Sequence, residues 1–260
     1  MVELRDIAYV AGGKTILRDV TVSLRERQFN VLLGPNGAGK STLLNIATGL
    51  ARPTTGSVHY GETDIHTLDM ETLARKRAVL SQHIELAFPM PVEDVVLMGR
   101  YPHYGRVPSP RDREIVRRAL DLVGMTERRA QAYPTLSGGE RQKVQLARVL
   151  AQIWNEDDAR TPTFLFLDEP TSSLDIHYQI ALLDVARALL ERNCTVVAIL
   201  HDVNVALHYG DYFVLLAGGR VAAATEADGI TRSLLERVFE VRAHRIEDPE
   251  TGERLWRFAL

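Results

Sequence analysis

The 260-residue chain contains one cysteine, Cys194, and no excess of positive charge. A single cysteine excludes an intrachain disulfide framework and a zinc site made of cysteines alone, and it is typical of proteins from reducing compartments. Lysine and arginine number 31 against 34 aspartates and glutamates, so the formal net charge is -3. Proteins that bind nucleic acid or anionic lipid usually carry a basic surplus, so this balance argues against both classes.

Long hydrophobic runs are also missing from the sequence. No segment approaches the roughly 20 apolar residues that a membrane-spanning helix needs. Residues 1–15 lack the apolar core of a secretory signal. We therefore expect a soluble, cytosolic protein, and if it acts at a membrane, another chain must span that membrane. At about 150 residues per domain, the length predicts one large domain or a core with an added lobe.

Short uninterrupted apolar segments alternate with longer segments whose apolar residues recur every three to four positions. The first kind is typical of strands buried on both faces, and the second of amphipathic helices. The predicted strands are Phe29–Leu33, Thr163–Leu167, Thr195–Leu200 and Phe213–Leu216, and the predicted helices cover 41–50, 176–191 and 204–209. Strands that alternate with helices predict an α/β fold with a parallel sheet.

Other segments alternate between apolar and polar residues, as half-buried antiparallel strands do. Near the N-terminus these are Val20–Leu24 and Gly56–Tyr60, which predict an antiparallel β subdomain. Gly218-Gly219 between two apolar segments predicts a hairpin turn. His244–Leu260 alternates as well and predicts a small strand pair, to which the sequence assigns no function.

The strand pattern disappears between about residues 88 and 156. Ser109 and Pro110 begin a predicted helix as its N-cap and first residue, and Gly124 ends it. A second predicted helix starts at Glu140. We therefore expect an α-helical subdomain over 87–156, inserted into a core formed by 1–86 and 157–260.

A glycine-rich loop follows the first buried strand and precedes a helix. It matches the phosphate-binding pattern G-x-x-x-x-G-K-[ST], in which backbone N–H groups surround phosphates. In that pattern Lys40 reaches the β- and γ-phosphates and the Ser41 hydroxyl is a ligand of Mg²⁺. An ordinary glycine-rich turn is the alternative, and the strand–loop–helix context disfavours it. The predicted ATP-binding loop comprises Gly34, Pro35, Asn36, Gly37, Ala38, Gly39, Lys40, Ser41 and Thr42.

Two adjacent carboxylates, Asp168 and Glu169, end the buried strand Thr163–Leu167. Because ligands of α/β sheets gather at the carboxyl ends of the strands, we expect both near the phosphates. Asp168 is suited to hold Mg²⁺, and Glu169 to polarise the water that attacks the γ-phosphate. The alternative is a pair that caps the next helix.

A second glycine-rich segment, Leu136–Gln142, lies in the predicted helical subdomain. Ser137, Gly138 and Gly139 precede a helix and so form a second potential anion-binding N-terminus. One nucleotide does not need two such sites from one chain, but a twofold pair of identical copies would place this serine and these amides on the partner's γ-phosphate. The alternative is a capping box of Ser137 and Glu140. Both interpretations can hold together.

These motifs, in this order, resemble the nucleotide-binding subunit of an ABC transporter over the whole chain, with LSGGERQ similar to that family's signature sequence. The resemblance implies a P-loop NTPase core, ATP and Mg²⁺ as cofactors, and ATP hydrolysis coupled to transport. It also gives Gln82 contacts to Mg²⁺ and the attacking water, His201 a contact to the γ-phosphate, and Asp175 a place in the loop that crosses the dimer interface. Tyr9 matches the aromatic residue that stacks on adenine.

Each of these residues has a simpler interpretation. His201 and Asp202 follow a strand and could cap the next helix, and Tyr9 could be a strand residue that packs in the core. Gln82 alone would indicate nothing. The chain also departs mildly from the family pattern, since Arg27-Gln28 stands where a Gly-Glu pair is common. No predicted catalytic position is missing, so the resemblance implies an active ATPase.

The segment Ala87–His103 is similar to the same region of importer ATPases for haem, iron-siderophores and cobalamin. AFPMPVEDVV and RYPH resemble haem importers most, with siderophore and cobalamin importers as the alternatives and a non-transport ABC ATPase as a more distant one. The resemblance implies a homodimer on the cytoplasmic face of the bacterial inner membrane, bound to two permease subunits and served indirectly by a periplasmic substrate-binding protein. We expect no nucleic-acid partner and no direct binding of haem.

Overall fold

The computed structural model describes residues 1–81, 89–154, 161–170, 175–247, 249–250 and 254–259. Two compact units share the chain: residues 1–66 with 197–260 form the first, and residues 67–196 form the second. The predicted helical subdomain over 87–156 lies wholly inside the second unit. Its predicted boundaries stay a prediction. Gln82 lies outside the described residues.

The first unit contains two groups of strands. The strands are β1 (Val2–Ala11), β2 (Lys14–Leu24), β3 (Phe29–Leu33), β4 (Thr55–Tyr60), β5 (Thr63–Asp64), β8 (Cys194–Ile199), β9 (Tyr212–Ala217) and β10 (Arg220–Thr225). An antiparallel sheet has the order β2-β1-β4-β5, and a second group has the order β10-β9-β3-β8. β3 and β9 run parallel, whereas β9 and β10 form an antiparallel hairpin through Gly218-Gly219, as predicted.

Three helices and a terminal hairpin complete the first unit. The helices are α1 (Lys40–Ala47), α7 (Val203–Tyr209) and α8 (Arg232–Phe239). The predicted terminal strand pair is β11 (Arg242–Glu247) with β12 (Arg254–Ala259), which are antiparallel. The Asn204 side chain of α7 accepts from the Trp256 N–H at 2.8 Å and donates to the Trp256 carbonyl at 3.1 Å, so β12 is joined to the helix that follows β8.

The core of the first unit lies around β3 and β9. Every residue of β3 is buried, and so are the first five of β9, because parallel strands in the middle of a sheet are covered on both faces. β3 is held at its start by Asp211, whose side chain accepts from the Phe29 N–H at 2.8 Å. The α/β class, with parallel strands and antiparallel N-terminal strands, is confirmed.

The second unit contains most of the helices and two further strands. Its elements are α2 (Met70–Lys76), β6 (Arg77–Leu80), α3 (Val92–Leu97), α4 (Pro110–Leu122), α5 (Gly138–Ile153), β7 (Thr163–Leu167) and α6 (Ile176–Ala188). The strand order is β8-β7-β6, and β6 and β7 are parallel. β8 is the strand at which the chain passes between units.

Several of these elements differ from the sequence prediction. β6, α2 and α3 were not predicted, α5 begins at Gly138 rather than at Glu140, and α6 ends at Ala188 rather than at residue 191. The prediction for α4 is confirmed: Ser109 and Asp112 form a capping box, Pro110 is the first residue, and Gly124 with φ +66° follows the end.

A buried ion pair holds the helices of the second unit together. The Arg100 guanidinium donates to Asp112 of α4 at 3.0 Å and to the carbonyls of Ala151 and Trp154, at the end of α5, at 2.8 and 3.0 Å. Burial opposes the charge on Asp112, but hydrogen bonds from Ser109 and the Arg100 charge outweigh it, so the pKa of Asp112 is lowered. One side chain therefore joins α4 to the carboxyl end of α5.

Candidate active site

The glycine-rich loop connects β3 to α1 in the first unit, as the sequence predicts. Gly34 has φ +146°, and a methyl group placed on it would lie 2.2 Å from the carbonyl oxygen of Leu216 in β9. Gly39 has φ +97° and stands directly before α1. Only glycine fits the first of these positions without a shift of the backbone, so the loop is pressed against β9 where it leaves the sheet.

Lys40 is buried, with 5% of its surface exposed, although it carries a charge. Its Nζ donates to the Gly34 carbonyl at 2.8 Å and to the Pro35 carbonyl at 3.0 Å. These bonds hold the ammonium across the loop. A buried cation fixed in this way is placed to bind an anion that the loop surrounds.

The first turn of α1 contains Ser41 and Thr42, both half-buried. The residue before the helix is Gly39, which has no side chain to cap it. Backbone N–H groups at a helix start carry partial positive charge and favour anions. The start of α1 therefore adds to the charge of Lys40, and the Ser41 hydroxyl lies in the same turn.

Two further predicted residues lie in the first unit. Tyr9 of β1 is half-buried and pairs with Leu17 of β2, whose side chain would be 2.6 Å from a methyl group on Gly39. Because paired residues share one face of a sheet, Tyr9 lies on the same face as Leu17, and Leu17 contacts the loop at Gly39. His201 is exposed and lies directly beyond β8, the strand next to β3.

The capping interpretation of the His201-Asp202 pair is correct only for Asp202. Its side chain accepts from the N–H groups of Asn204 and Val205 at 2.7 and 3.1 Å, at the start of α7. His201 is not the N-cap residue, so its contact with a phosphate stays a prediction.

Asp168 and Glu169 lie in the second unit, directly after β7. The Asp168 N–H donates to the Leu80 carbonyl at 2.9 Å, which fixes it at the end of β6. Glu169 has φ +48°, a left-handed conformation that is costly for a residue with a side chain. The capping interpretation of this pair is wrong, because α6 begins at Ile176 and is capped by Asp175. Such strain is common where a side chain must point in one functional direction.

Ser137, with Glu140, forms the capping box of α5 that the sequence offered as an alternative. The Ser137 Oγ accepts from the Glu140 N–H at 3.4 Å, and Glu140 Oε2 accepts from the N–H and the Oγ of Ser137 at 2.9 Å each. These hydrogen bonds lower the pKa of Glu140, despite a small opposing effect of burial. Ser137 and Gly138 are exposed.

Asp175 is exposed and lies in the same unit, where its Oδ1 accepts from the Tyr178 N–H at 3.0 Å. Its neighbours Ser173 and Leu174 lie outside the described residues. The structure therefore places the loop residues, Tyr9 and His201 in one unit. Asp168, Glu169, Asp175 and the Ser137–Gly139 segment belong to the other.

The proposed magnesium ligands fit that ion in their chemistry. Ser41 offers a hydroxyl oxygen and Asp168 a carboxylate, and Mg²⁺ is commonly held by one or two such protein oxygens together with phosphates and water. Among the described residues there is no cluster of three or more histidine, cysteine or carboxylate side chains that could hold a metal ion. The helices of the described part of the chain include none that is both long and apolar enough to cross a membrane.

Residues 17–172 match the family model described as ABC transporter. The chain belongs to this family. It is 41% identical over 240 residues to a hemin import ATP-binding protein, HmuV, of Rhodopseudomonas palustris (strain HaA2), and the alignment covers 92% of this chain and 90% of the relative. It is 42% identical over 255 residues to the HmuV protein of Bordetella bronchiseptica, with 97% of each chain covered.

Solved structures of ABC transporters have the same fold. A metal-chelate type ABC transporter in an inward-facing conformation superposes with a TM-score of 0.83 at 24% identity, covering all of this chain and 97% of that one. A dimeric bacterial ABC transporter cassette superposes with a TM-score of 0.74 at 28% identity, covering 88% of this chain and all of that one. A dimeric post-hydrolysis cassette bound to ADP and phosphate gives 0.73 at the same identity, again with 88% of this chain and all of that chain covered.

The position of Gly34 in this ABC ATPase gives a testable prediction. Gly34→Ala adds a methyl group against the Leu216 carbonyl and also strains the backbone, so we expect the free energy of unfolding to fall by about 3 kcal/mol. Gly37→Ala is the matched control: φ is +78°, but the added methyl group meets nothing within 4 Å, so we expect a loss of about 1 kcal/mol. Urea unfolding monitored by circular dichroism measures both losses, and equal losses would contradict the close approach to β9.

Sequence reasoning missed one residue next to the predicted site. Tyr178 of α6 covers Gly139 with its ring, and a methyl group on Gly139 would lie 3.1 Å from two ring carbons. The two residues are far apart in sequence, and nothing in the pattern around Tyr178 indicates the contact. Only the packing of α6 beside α5 could reveal it.

Proposed function

We propose that this ABC ATPase is the ATP-hydrolysing subunit of an importer that carries haem through a separate permease. The observation that carries the proposal is the similarity, over nearly the whole of both chains, to proteins named for hemin import, at 40–42% identity. The segment from residue 87 to His103, which resembles haem importers by sequence, agrees with it. Iron-siderophore and cobalamin importers remain the second choice.

For ATP binding, we assign the loop Gly34–Thr42 to the phosphates, with the Lys40 ammonium on the β- and γ-phosphates. The bonds from Lys40 to the loop carbonyls support this, because they direct the charge across the loop. Tyr9 is assigned to the adenine ring, supported by its place on the face of β1 that carries Leu17 to the loop. Stacking of a base on an aromatic ring contributes about 1–3 kcal/mol.

For hydrolysis, we assign Glu169 and Gln82 to the attacking water. His201 is assigned to the γ-phosphate. The left-handed conformation of Glu169, next to a strand end, supports its role because residues held in such strained conformations are concentrated at active sites. Ser41, Gln82 and Asp168 would hold Mg²⁺, which when bound neutralises charge on the phosphates. Glu169 then accepts a hydrogen bond from the water and aligns it with the γ-phosphorus.

We assign Ser137, Gly138, Gly139 and Asp175 to the nucleotide of a second copy, in a head-to-tail homodimer. Exposure of Ser137, Gly138 and Asp175 supports this, since nothing in their own unit buries them. The Ser137 N–H and the Oγ–H now donate to Glu140, so the hydroxyl would have to turn its hydrogen from Glu140 to a phosphate oxygen, and the amides of the first helical turn would donate beside it. The dimeric cassettes among the structural relatives agree with this arrangement.

The permease contact is assigned to a groove in the second unit, on the cytoplasmic face of the membrane. The groove has a volume of about 420 Å³, and its lining mixes apolar and charged side chains. Tyr101 is 58% exposed and Val107 is 75% exposed. Exposed apolar side chains around a groove are typical of a surface that binds another protein. The groove is lined by Met90, Asp94, Leu97, Tyr101, Tyr104, Gly105, Arg106 and Pro108.

The substrate is tested by copurifying the chain with the permease that binds it and measuring ATP hydrolysis in membrane vesicles or nanodiscs. We expect a haem-loaded periplasmic binding protein to stimulate hydrolysis and haem uptake, and ferric siderophore or cobalamin to stimulate neither. If ferric siderophore or cobalamin stimulated hydrolysis instead, that compound and not haem would be the transported substrate. A chain that copurifies with no membrane protein but hydrolyses ATP would favour a non-transport ABC ATPase.

A further inference from the structure

Tyr178 connects two exposed segments that the proposed function assigns to the partner's nucleotide. Its N–H donates to Asp175 Oδ1 at 3.0 Å, which closes the cap at the start of α6. Its ring lies against Gly139 near the start of α5, where a methyl group would be 3.1 Å from Cδ2 and Cε2. The same residue therefore sets where Asp175 lies and where the first turn of α5 lies.

The ring is held in place from the α5 side. Lys143 lies one turn after Gly139, and its Nζ is 4.7 Å from the centre of the Tyr178 ring. A cation this close to an aromatic face is attracted by the ring. Gly139 and Lys143 are on the same side of the helix, so the ring spans one turn of α5. The ring of His177, the preceding residue, also contacts the Tyr178 ring edge to face, with 5.7 Å between the ring centres.

The two glycines of the signature segment differ in what a side chain would meet. A methyl group on Gly138 meets nothing within 4 Å, so it would point into the space outside the chain. A methyl group on Gly139 points at Tyr178 of the same chain. A side chain at Gly139 would thus crowd a ring of the same copy, whereas a side chain at Gly138 would crowd nothing in its own copy.

We propose that Tyr178 is a positioning residue, which fixes the spacing between Asp175 and the Ser137–Gly139 turn so that both can reach the nucleotide of a second copy. Gly139 is glycine because it receives this ring, and Gly138 is glycine because the partner approaches there. The inference rests on the proposed function, since it concerns how one copy completes the site of the other.

The test uses the full chain with Glu169→Gln, which should trap the ATP-bound dimer, and measures dimer by gel filtration with ATP. The same substitutions are then made with Glu169 intact, and kcat and KM are measured separately. For Tyr178→Ala we expect about tenfold less dimer at limiting ATP and about tenfold lower kcat, with ATP affinity of the single copy unchanged, because the defect is one of position. Tyr178→Phe should restore both values, since the ring and not the hydroxyl touches Gly139.

Pairs of substitutions distinguish the two glycines. With Tyr178 intact, Gly139→Ala should reduce dimer formation. In combination with Tyr178→Ala it should cause no further loss of dimer, because the ring that the new methyl group would displace is already gone. Gly138→Ala should reduce dimer formation by the same factor in both backgrounds, because it acts on the partner. If the losses of dimer caused by Gly139→Ala and Tyr178→Ala multiply in the double variant, Gly139 acts independently of the ring, through its own contact with the nucleotide, and the inference is wrong.

Tyr178 also lines an apolar cavity of about 210 Å³ beside α5 and α6, so truncation to alanine could destabilise the fold. Tyr178→Leu keeps apolar volume there without a flat ring, and we expect it to unfold at the wild-type temperature yet form as little dimer as Tyr178→Ala. If Tyr178→Leu formed as much dimer as the chain with Tyr178, this inference would be wrong, whereas the proposed function would stand. No ATP-dependent dimer with Glu169→Gln by itself would overturn the proposed function and this inference with it.

Discussion

Glu169→Gln is expected to lower the steady-state rate of ATP hydrolysis by about 10²- to 10⁴-fold, the usual contribution of a group that orients or deprotonates an attacking water. Glutamine keeps the size and the left-handed backbone position of Glu169 but has no negative charge. ATP should bind with nearly unchanged affinity, because the carboxylate is assigned to the water and not to the phosphates. The rate is measured by phosphate release, and the affinity by a fluorescent ATP analogue.

A second result should accompany the slow turnover. If hydrolysis ends the closed state, the Glu169→Gln protein should migrate as a dimer in gel filtration with ATP and as a single copy with ADP. Glu191→Gln is the matched control, because Glu191 is an exposed glutamate of the same unit, and it should leave the rate and the elution unchanged. Rapid hydrolysis by Glu169→Gln would overturn the role assigned to this residue.

Lys40→Met is expected to weaken ATP binding about ten- to a hundredfold, the effect of losing ~1.5–3 kcal/mol of hydrogen bonding to a charged group. Methionine occupies a similar buried volume without the ammonium, so the hydrophobic packing around α1 is largely kept. Hydrolysis at saturating ATP should fall as well, since Lys40 is assigned to the γ-phosphate, where charge is redistributed in the transition state. Isothermal calorimetry gives the affinity.

Lys14→Met serves as the control for Lys40→Met. Lys14 is an exposed lysine of the same unit, at the start of β2, so its loss removes the same charge from the protein without touching the loop. We expect wild-type ATP affinity for it. An equal loss of affinity in both variants would mean that overall charge, and not the position of Lys40 across the loop, determines ATP binding.

The local motifs could be predicted from the sequence because they depend on neighbouring residues alone. The loop around Lys40 needs its glycines and its place between a strand and a helix, and both are visible in the sequence. The strand before it is apolar at four of its five positions, Asn30 being the exception. The cap of α4 by Ser109 and the hairpin at Gly218-Gly219 likewise use short-range signals, and the structure confirms them.

What the sequence could not predict depends on contacts between distant segments. β6 has four residues and begins with the charged Arg77 directly after α2, so its pattern resembles a helix end more than a strand. It is a strand because β7 pairs with it. The contact of Tyr178 with Gly139 is of the same kind, since capping alone explains Ser137 and Glu140 but gives no reason for a glycine between them.

The burial of Cys194 has a practical consequence for the study of the dimer. The thiol is 1% exposed, and burial raises its pKa to about 12, so almost none of it is the reactive thiolate at neutral pH. We therefore expect that maleimides and oxidative cross-linkers do not react with Cys194 in the native protein. Glu191→Cys would place a reactive thiol at an exposed position of the second unit, away from the residues assigned to the nucleotide, and a label there would report distances between copies without a signal from Cys194.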